Sequence, residues 1–294
     1  MNLNVIKKAL PEDFKKHLRP TWDRFKLYAD FFAEGGRLFK DPDLKNYIAT
    51  RSFGGRPLPI VVRSKREFKR WANFYGENRE TMHDWMTNLK GCEVVWDFGA
   101  ANGLEGFYLN HMHGAKIVFV EPFTPSIETI LKTIYYQQKM DPSKRGKFEV
   151  LQAVVDDKTK YQRLDIHDKP LAGETLNSAS EGKSDYCHGG RLDKPVAVSQ
   201  WLSSVCMNDM LNVFKLPAPT HVKMDIDGYE LRALYGAKEL LASGCVKEWC
   251  IEVTDQKGAE VIDILDKAGY KKVAEYMHYP NIPYSPTDYI FVKK

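Results

Sequence analysis

The chain is poor in cysteine, in long apolar runs and in net charge, and each shortage excludes something. Its five cysteines (Cys92, Cys187, Cys206, Cys245 and Cys250) form no C-x-x-C pair and leave an odd count. That speaks against a disulfide framework and a structural zinc, and for a reducing compartment. No window reaches the ~18 apolar residues that span a bilayer, and the opening MNLNVIKKALPEDFKK lacks the ~7–15 apolar residues of a signal core. A soluble, cytoplasmic protein with no membrane span is expected. The 43 Lys and Arg are nearly balanced by 39 Asp and Glu, giving a net charge of +4, and they are scattered along the chain. No nucleic-acid partner is expected from such a distribution. The dinucleotide fingerprint G-x-G-x-x-G is missing too: counting from Gly99, its third and sixth positions are Ala101 and Leu104.

What is present is organised around Val94 to Glu121, VVWDFGAANGLEGFYLNHMHGAKIVFVE. Val94, Val95 and Trp96 read as a buried strand that breaks at Asp97-Phe98-Gly99-Ala100-Ala101-Asn102-Gly103. Leu104 to His113 reads as a helix, and Ala115 to Val120 as a second buried strand ending on Glu121. This is half of a nucleotide-binding βαβ unit, in which the ligand lies at the carboxyl ends of the strands. Glycines allow the sharp turn and a close backbone approach. An acid closing the second strand can accept both ribose hydroxyls of an adenosine, a role that falls to Glu121. The turn is D-x-G-x-x-x-G, from Asp97 through Gly99 to Gly103. Its anion repels a pyrophosphate and welcomes a sulfonium or ammonium, which favours S-adenosylmethionine over NAD.

The 43% hydrophobic content is enough for one catalytic domain with an N-terminal extension. Residues 1 to 40 carry Phe14, Leu18, Trp22, Phe25, Leu27, Tyr28, Phe31 and Phe32 at near-helical spacing, a stripe for core packing or for contact between copies of the chain. Asp41 to Arg56 reads as a turn-rich connection, Leu58 to Val62 as a short strand, and Ser64 to Asn88 as two helices broken at Gly76-Glu77-Asn78. That break lies where it could lean over the cofactor. After Glu121 come a helix over Pro122 to Lys139 and a third strand over Phe148 to Val155, ending at Asp156 and Asp157. Residues 158–195 are polar and Gly/Ser-rich, too long for an ordinary connection, and read as a lid over the acceptor. A short strand and helix over Val196 to Phe214 follow. Thr220 to Asp225 is the fourth parallel strand, ending in Asp225-Ile226-Asp227-Gly228-Tyr229-Glu230. The helix Leu231 to Leu241, a fifth strand Cys245 to Val253, the helix Gly258 to Ala268 and strands Lys272 to Met277 and Tyr289 to Val292 complete the chain. The last two strands are expected to pair antiparallel. The whole reads as an α/β fold, a doubly wound seven-stranded mainly parallel sheet with an antiparallel last strand.

DFGAANG, FVEP, LQAVVDD, PVAVSQWL, VKMDIDGYELRALYGAKELL and the IEV strand together resemble, in order and spacing, the FkbM-type S-adenosylmethionine-dependent methyltransferases. The resemblance runs from about Glu67 to the C-terminus. Its most specific block is Lys223-Met224-Asp225-Ile226-Asp227-Gly228-Tyr229-Glu230, similar to K-x-D-(V/I)-(E/D)-G-x-E; Ala101 and Asp227 depart mildly from the usual Asn and Glu. It implies a class I methyltransferase domain over 67–294 and methyl transfer to hydroxyl groups of sugars, glycoconjugates or natural products; residues 1–66, which carry no family motif, are expected to form a helical N-terminal extension. Cofactor contacts are expected from Asp97, Gly99, Ala100, Ala101, Asn102, Gly103, Glu121, Pro122, Val154 and Asp225.

Methyl transfer is an in-line displacement that gains most from alignment and exclusion of water, and a hydroxyl acceptor gains further from a base. Alternation along the fourth strand puts Lys223 and Asp225 on one face, with Asp225 nearest the cleft as acceptor or ammonium anchor. Lys223 is a base if burial strips its proton, or else the partner of a neighbouring acid. His188 in the insertion is a second candidate base. No metal is expected, although Asp225, Asp227 and Glu252 are oxygen ligands of the kind Mg²⁺ takes. The competing readings are methylation of RNA or protein, and a silent adenosine-binding or assembly module.

Overall fold

Gly99 and Asp225 end neighbouring strands at the centre of a sheet, and the rest of the fold is built outward from that junction. The computed structural model describes residues 29–74, 80–167, 177–179, 196–278 and 285–294. The central sheet holds β4 (Val94–Phe98), β5 (Lys116–Val120), β6 (Phe148–Leu151), β11 (His221–Met224), β12 (Glu248–Thr254), β13 (Tyr270–Met277) and β14 (Pro286–Lys293). Its strand order is β6-β5-β4-β11-β12-β14-β13. The pairs β6-β5, β5-β4, β4-β11 and β11-β12 are parallel, while β14 runs antiparallel to both β12 and β13. This is the seven-stranded, doubly wound class I methyltransferase sheet. The chain leaves β4 in one direction and β11 in the other, so the crevice at their carboxyl ends is the topological switch point where ligands bind in such sheets.

Both sheet faces are covered. On one, Val95, Ile117, Phe107 and Leu104 pack with Phe53, Leu58, Phe68 and Trp71 from the earlier part of the chain. The helices here are α1 (Lys65–Ala72), α2 (Glu80–Asn88), α3 (Leu104–His113) and α4 (Thr124–Met140). Glu67 caps α1 and is buried; it also accepts the hydroxyl of Thr129, 2.7 Å away, and so ties α1 to α4. On the other face Trp96, Phe98, Val118, Met224 and Trp249 pack against α5 (Met207–Asn212), α6 (Glu230–Tyr235), α7 (Lys238–Ser243) and α8 (Asp255–Lys267). Among the described residues no helix is long and apolar enough to cross a membrane.

Three elements depart from the sequence reading. The turn-rich connection is an antiparallel meander of β1 (Arg37–Lys40), β2 (Tyr47–Phe53) and β3 (Arg56–Val62). Gly54 and Gly55, which look like a break, are its two-residue hairpin: both have positive φ, and Phe53 pairs with Arg56. The third strand splits. After β6 the chain bends at Gln152, whose amide donates to Thr124 Oγ1 at 2.8 Å, and β7 (Val154–Val155) joins a second sheet. That sheet, in the order β7-β10-β8-β9, adds β10 (Val198–Val205), β8 (Lys160–Ile166) and β9 (Asn177–Ala179). Finally, the helix after Asp225 breaks between α6 and α7. Gly236 there passes so close to Asp156 that a Cβ would meet its carbonyl oxygen at 2.6 Å.

Of the aromatic stripe, Phe31 is buried edge-on to Phe68 with ring centres 5.2 Å apart, so that end of it belongs to the core. Residues 1–28 lie outside the described residues, as does the Gly76-Glu77-Asn78 break.

Candidate active site

The first turn is closed by its own backbone and by one acid. Gly99 and Ala100 donate to Val120 O at 3.0 and 3.3 Å. Gly99, Ala101 and Gly103 all have positive φ, the region glycine enters freely and alanine does not. A Cβ on Gly99 would lie 1.8 Å from the carbonyl oxygen of Asp225, so only glycine lets β4 and β11 close here. Glu121, at the end of β5, accepts the amide of Ala101 on Oε2 and that of Phe123 on Oε1, both at 2.8 Å. Burial pushes its carboxyl up to about 7, against the pull of those two hydrogen bonds. Each oxygen keeps a further lone pair. Asn102 is buried, and neither end of its amide finds a partner among the described residues.

Lys223 lies beneath this turn. Its ammonium donates to Gly99 O at 3.1 Å and stands 3.3 Å from Asp97 Oδ1 and 4.0 Å from Asp225 Oδ2. Ringed by oxygens, it is an ion-pair partner that ties β4 to β11. Asp97 is fully buried; burial raises its carboxyl to about 6 despite Lys223. Asp225 is the more open acid, with 19% of its side chain exposed.

The loop after β11 is held by an acid the sequence reading passed over. Glu230 Oε1 accepts the amides of Ile226 at 3.2 Å and Gly228 at 3.1 Å, while burial pushes this carboxyl up to about 7. Lys257 donates to Gly228 O at 2.7 Å. Asp227 takes a positive φ. Its carboxyl is held well above the usual range, first by burial and then by repulsion from Asp225, Glu252, Glu230 and Glu121. The cleft edge is therefore strongly acidic.

The second sheet walls this cleft. Val154, Leu164 and Leu202 cluster with Tyr229 and Ile226, so Val154 stands beside the acidic loop. Pro122 offers its carbonyl to Gln152 at 3.2 Å and Gln200 at 3.4 Å. At the end of β7, Asp156 is gripped by Arg232 through Nε at 2.5 Å and Nη2 at 3.0 Å. His188 and most of the 158–195 insertion lie outside the described residues, apart from 158–167 and the strand β9.

The profile of the methyltransferase FkbM domain matches residues 97–272. Among solved structures, the chain is similar to a methyltransferase FkbM from Methylobacillus flagellatus, at 16% identity and a TM-score of 0.45, covering 78% of this chain and 56% of that one. It thus spans a little over half the length of that relative. It is also similar to Aeropyrum pernix fibrillarin with natively bound S-adenosyl-L-methionine (8% identity, TM-score 0.43, covering 88% and 94%). A third is an rRNA methylase from Streptococcus thermophilus (11% identity, TM-score 0.40, covering 74% and 96%). No curated protein matches the chain.

Proposed function

The chain belongs to the FkbM family of methyltransferases, and from that premise we propose that it moves the methyl group of S-adenosyl-L-methionine to a hydroxyl of a sugar, glycoconjugate or natural-product molecule. The observation that carries the choice of acceptor is the set of acids that line the cleft. Asp225, Glu252, Glu230 and Glu121 stand close enough to Asp227 to raise its carboxyl beyond what burial does. A nucleic acid brings a phosphate per nucleotide and is held by Lys and Arg that displace its counterions; an edge lined with carboxyls is not built for that. A neutral polyhydroxylated acceptor meets the acceptor-rich surface it can donate to.

The residues present fit the cofactor. When bound, it supplies an electrophilic methyl group on a sulfonium. Glu121 would take the ribose hydroxyls on its remaining lone pairs, the Gly99–Gly103 turn would admit the adenosine against the backbone, and the unpartnered amide of Asn102 would find a polar group. Asp97 and Asp225 favour a cation in the cleft. Asp225, the more exposed acid, would accept the hydroxyl proton as the oxygen gains its methyl group.

The test is release of S-adenosylhomocysteine against panels of glycans, small hydroxylated metabolites, RNA and protein. Turnover on a hydroxylated small molecule or glycan, cut by Asp225→Asn in a protein that still binds S-adenosylmethionine, is the expected result. Turnover confined to RNA or protein would overturn it.

A further inference from the structure

Strands β12 and β14 set Glu252 directly opposite Asp288. Like charges at facing positions of an antiparallel pair are destabilising, and here both belong to side chains about nine-tenths buried or more. His278, just past β13, joins them: its amide donates to Pro286 O at 2.9 Å, which brings the ring between the two acids. Nε2 lies 3.0 Å from Asp288 Oδ2, and Nδ1 lies 3.7 Å from Glu252 Oε2. One ligand atom from each of the three falls within 4.8 Å of the others.

Two carboxylates and an imidazole, from β12, β14 and the end of β13, thus offer one donor atom each to a common space. Both ring nitrogens face carboxylates, so neither is directed at an acceptor as a base. We propose that Glu252, His278 and Asp288 hold one divalent transition-metal ion of the Mn²⁺ to Zn²⁺ series. An imidazole nitrogen among carboxylates suits these ions, whereas Mg²⁺ and Ca²⁺ prefer oxygen alone. Three protein ligands leave coordination positions open, as at catalytic sites.

The placement gives the ion a use. β12 runs parallel to β11 with Ile251 in register with Met224, so Glu252 stands level with Asp225 at the carboxyl edge. This use, though not the binding, rests on the methyl-transfer reading: an acceptor hydroxyl in an open position would ionise more readily, its proton passing to Asp225.

The full-length protein, stripped with EDTA, is titrated with Mn²⁺ followed by electron paramagnetic resonance, and with Zn²⁺ or Mg²⁺ followed by elemental analysis after dialysis. One Mn²⁺ or Zn²⁺ per chain is expected, with Mg²⁺ retained far less. Asp288→Asn and Glu252→Gln should each weaken Mn²⁺ binding by about tenfold or more. In EDTA, Asp288→Asn should melt no lower than the parent, because it removes one of two facing anions, while losing the rise in Tm that Mn²⁺ gives the parent. Absence of stoichiometric uptake overturns the site. So does an equal drop in Tm for Asp288→Asn with Mn²⁺ and with EDTA, which is the signature of a purely structural imidazolium clamp. Metal binding without any methyl transfer would count against the methyl-transfer reading and leave the site standing.

Discussion

Glu121 does two jobs with one carboxylate. It fastens the turn after β4 through Ala101 and the turn after β5 through Phe123, and it is the proposed ribose acceptor. Glu121→Ala should therefore lose S-adenosylmethionine and also leave two amides without partners, at about 1–3 kcal/mol for each that stays buried. Urea denaturation of the cofactor-free protein reads the second loss, and calorimetry the first. Glu121→Gln separates them. Its one oxygen still accepts from a turn, so part of the stability returns, but the charge that strengthens the ribose bonds is gone and affinity should fall about tenfold or more. A folded Glu121→Gln protein whose affinity stays within about threefold of the parent would sink the ribose assignment.

At the scale of elements, the site is a matter of how two strands close and how a second sheet is pinned beside them. Because a Cβ at Gly99 would overlap the backbone of Asp225, even Gly99→Ala should force β4 and β11 apart. A lowered denaturation midpoint and loss of cofactor binding together are expected; a variant that keeps both would show the turn to be adaptable. Arg232 pins the second sheet by gripping the fully buried Asp156. Arg232→Ala should cost about 1–3 kcal/mol, because the buried Asp156 then keeps only the Asp157 amide at 2.8 Å and Lys160 at 3.8 Å, and adding Asp156→Asn should recover part of it in a double-mutant cycle. An additive double variant would refute that account. The central sheet was legible in the sequence because β4, β5, β11 and β12 are short, largely apolar runs closed by a glycine or an acid. The second sheet was not. In β8 the buried positions are Gln162, Leu164, Asp165 and Ile166 against exposed Tyr161 and Arg163, and the two buried polar residues hide the alternation. The meander was hidden because Gly54-Gly55 marks a hairpin and a loop equally well. Nor was the His278 cluster visible, since the distance between Glu252 and Asp288 in the chain vanishes only when β12 and β14 pair.

At the scale of the whole molecule, the cleft buries acids whose charged forms are disfavoured, and this shows in the pH dependence of stability. Glu121 and Glu230 ordinarily titrate near 4.5 and do so at about 7 in the folded chain, because burial disfavours their charged forms. Between those values the folded chain keeps protons that the unfolded chain has released. Stability from these two groups therefore falls as the pH rises from about 4.5 to about 7 and levels off above that. The buried His221 acts in the opposite sense: burial pushes it from 6.5 down to about 4. Below its ordinary value the unfolded chain takes up a proton that the folded chain refuses, and stability falls as the pH drops. Over pH 5 to 7 the two glutamates outweigh the one histidine, so the cofactor-free protein should lose about 1 kcal/mol per pH unit as the pH rises through that window and level off by about pH 8. Scanning calorimetry across pH 5 to 8 should trace this decline, and Glu121→Gln, which cannot ionise, should make it shallower. A Tm that climbs steadily to pH 8, or a decline unchanged in Glu121→Gln, would mean that the cleft acids stay hydrated and charged in the folded protein and that burial does not hold them protonated.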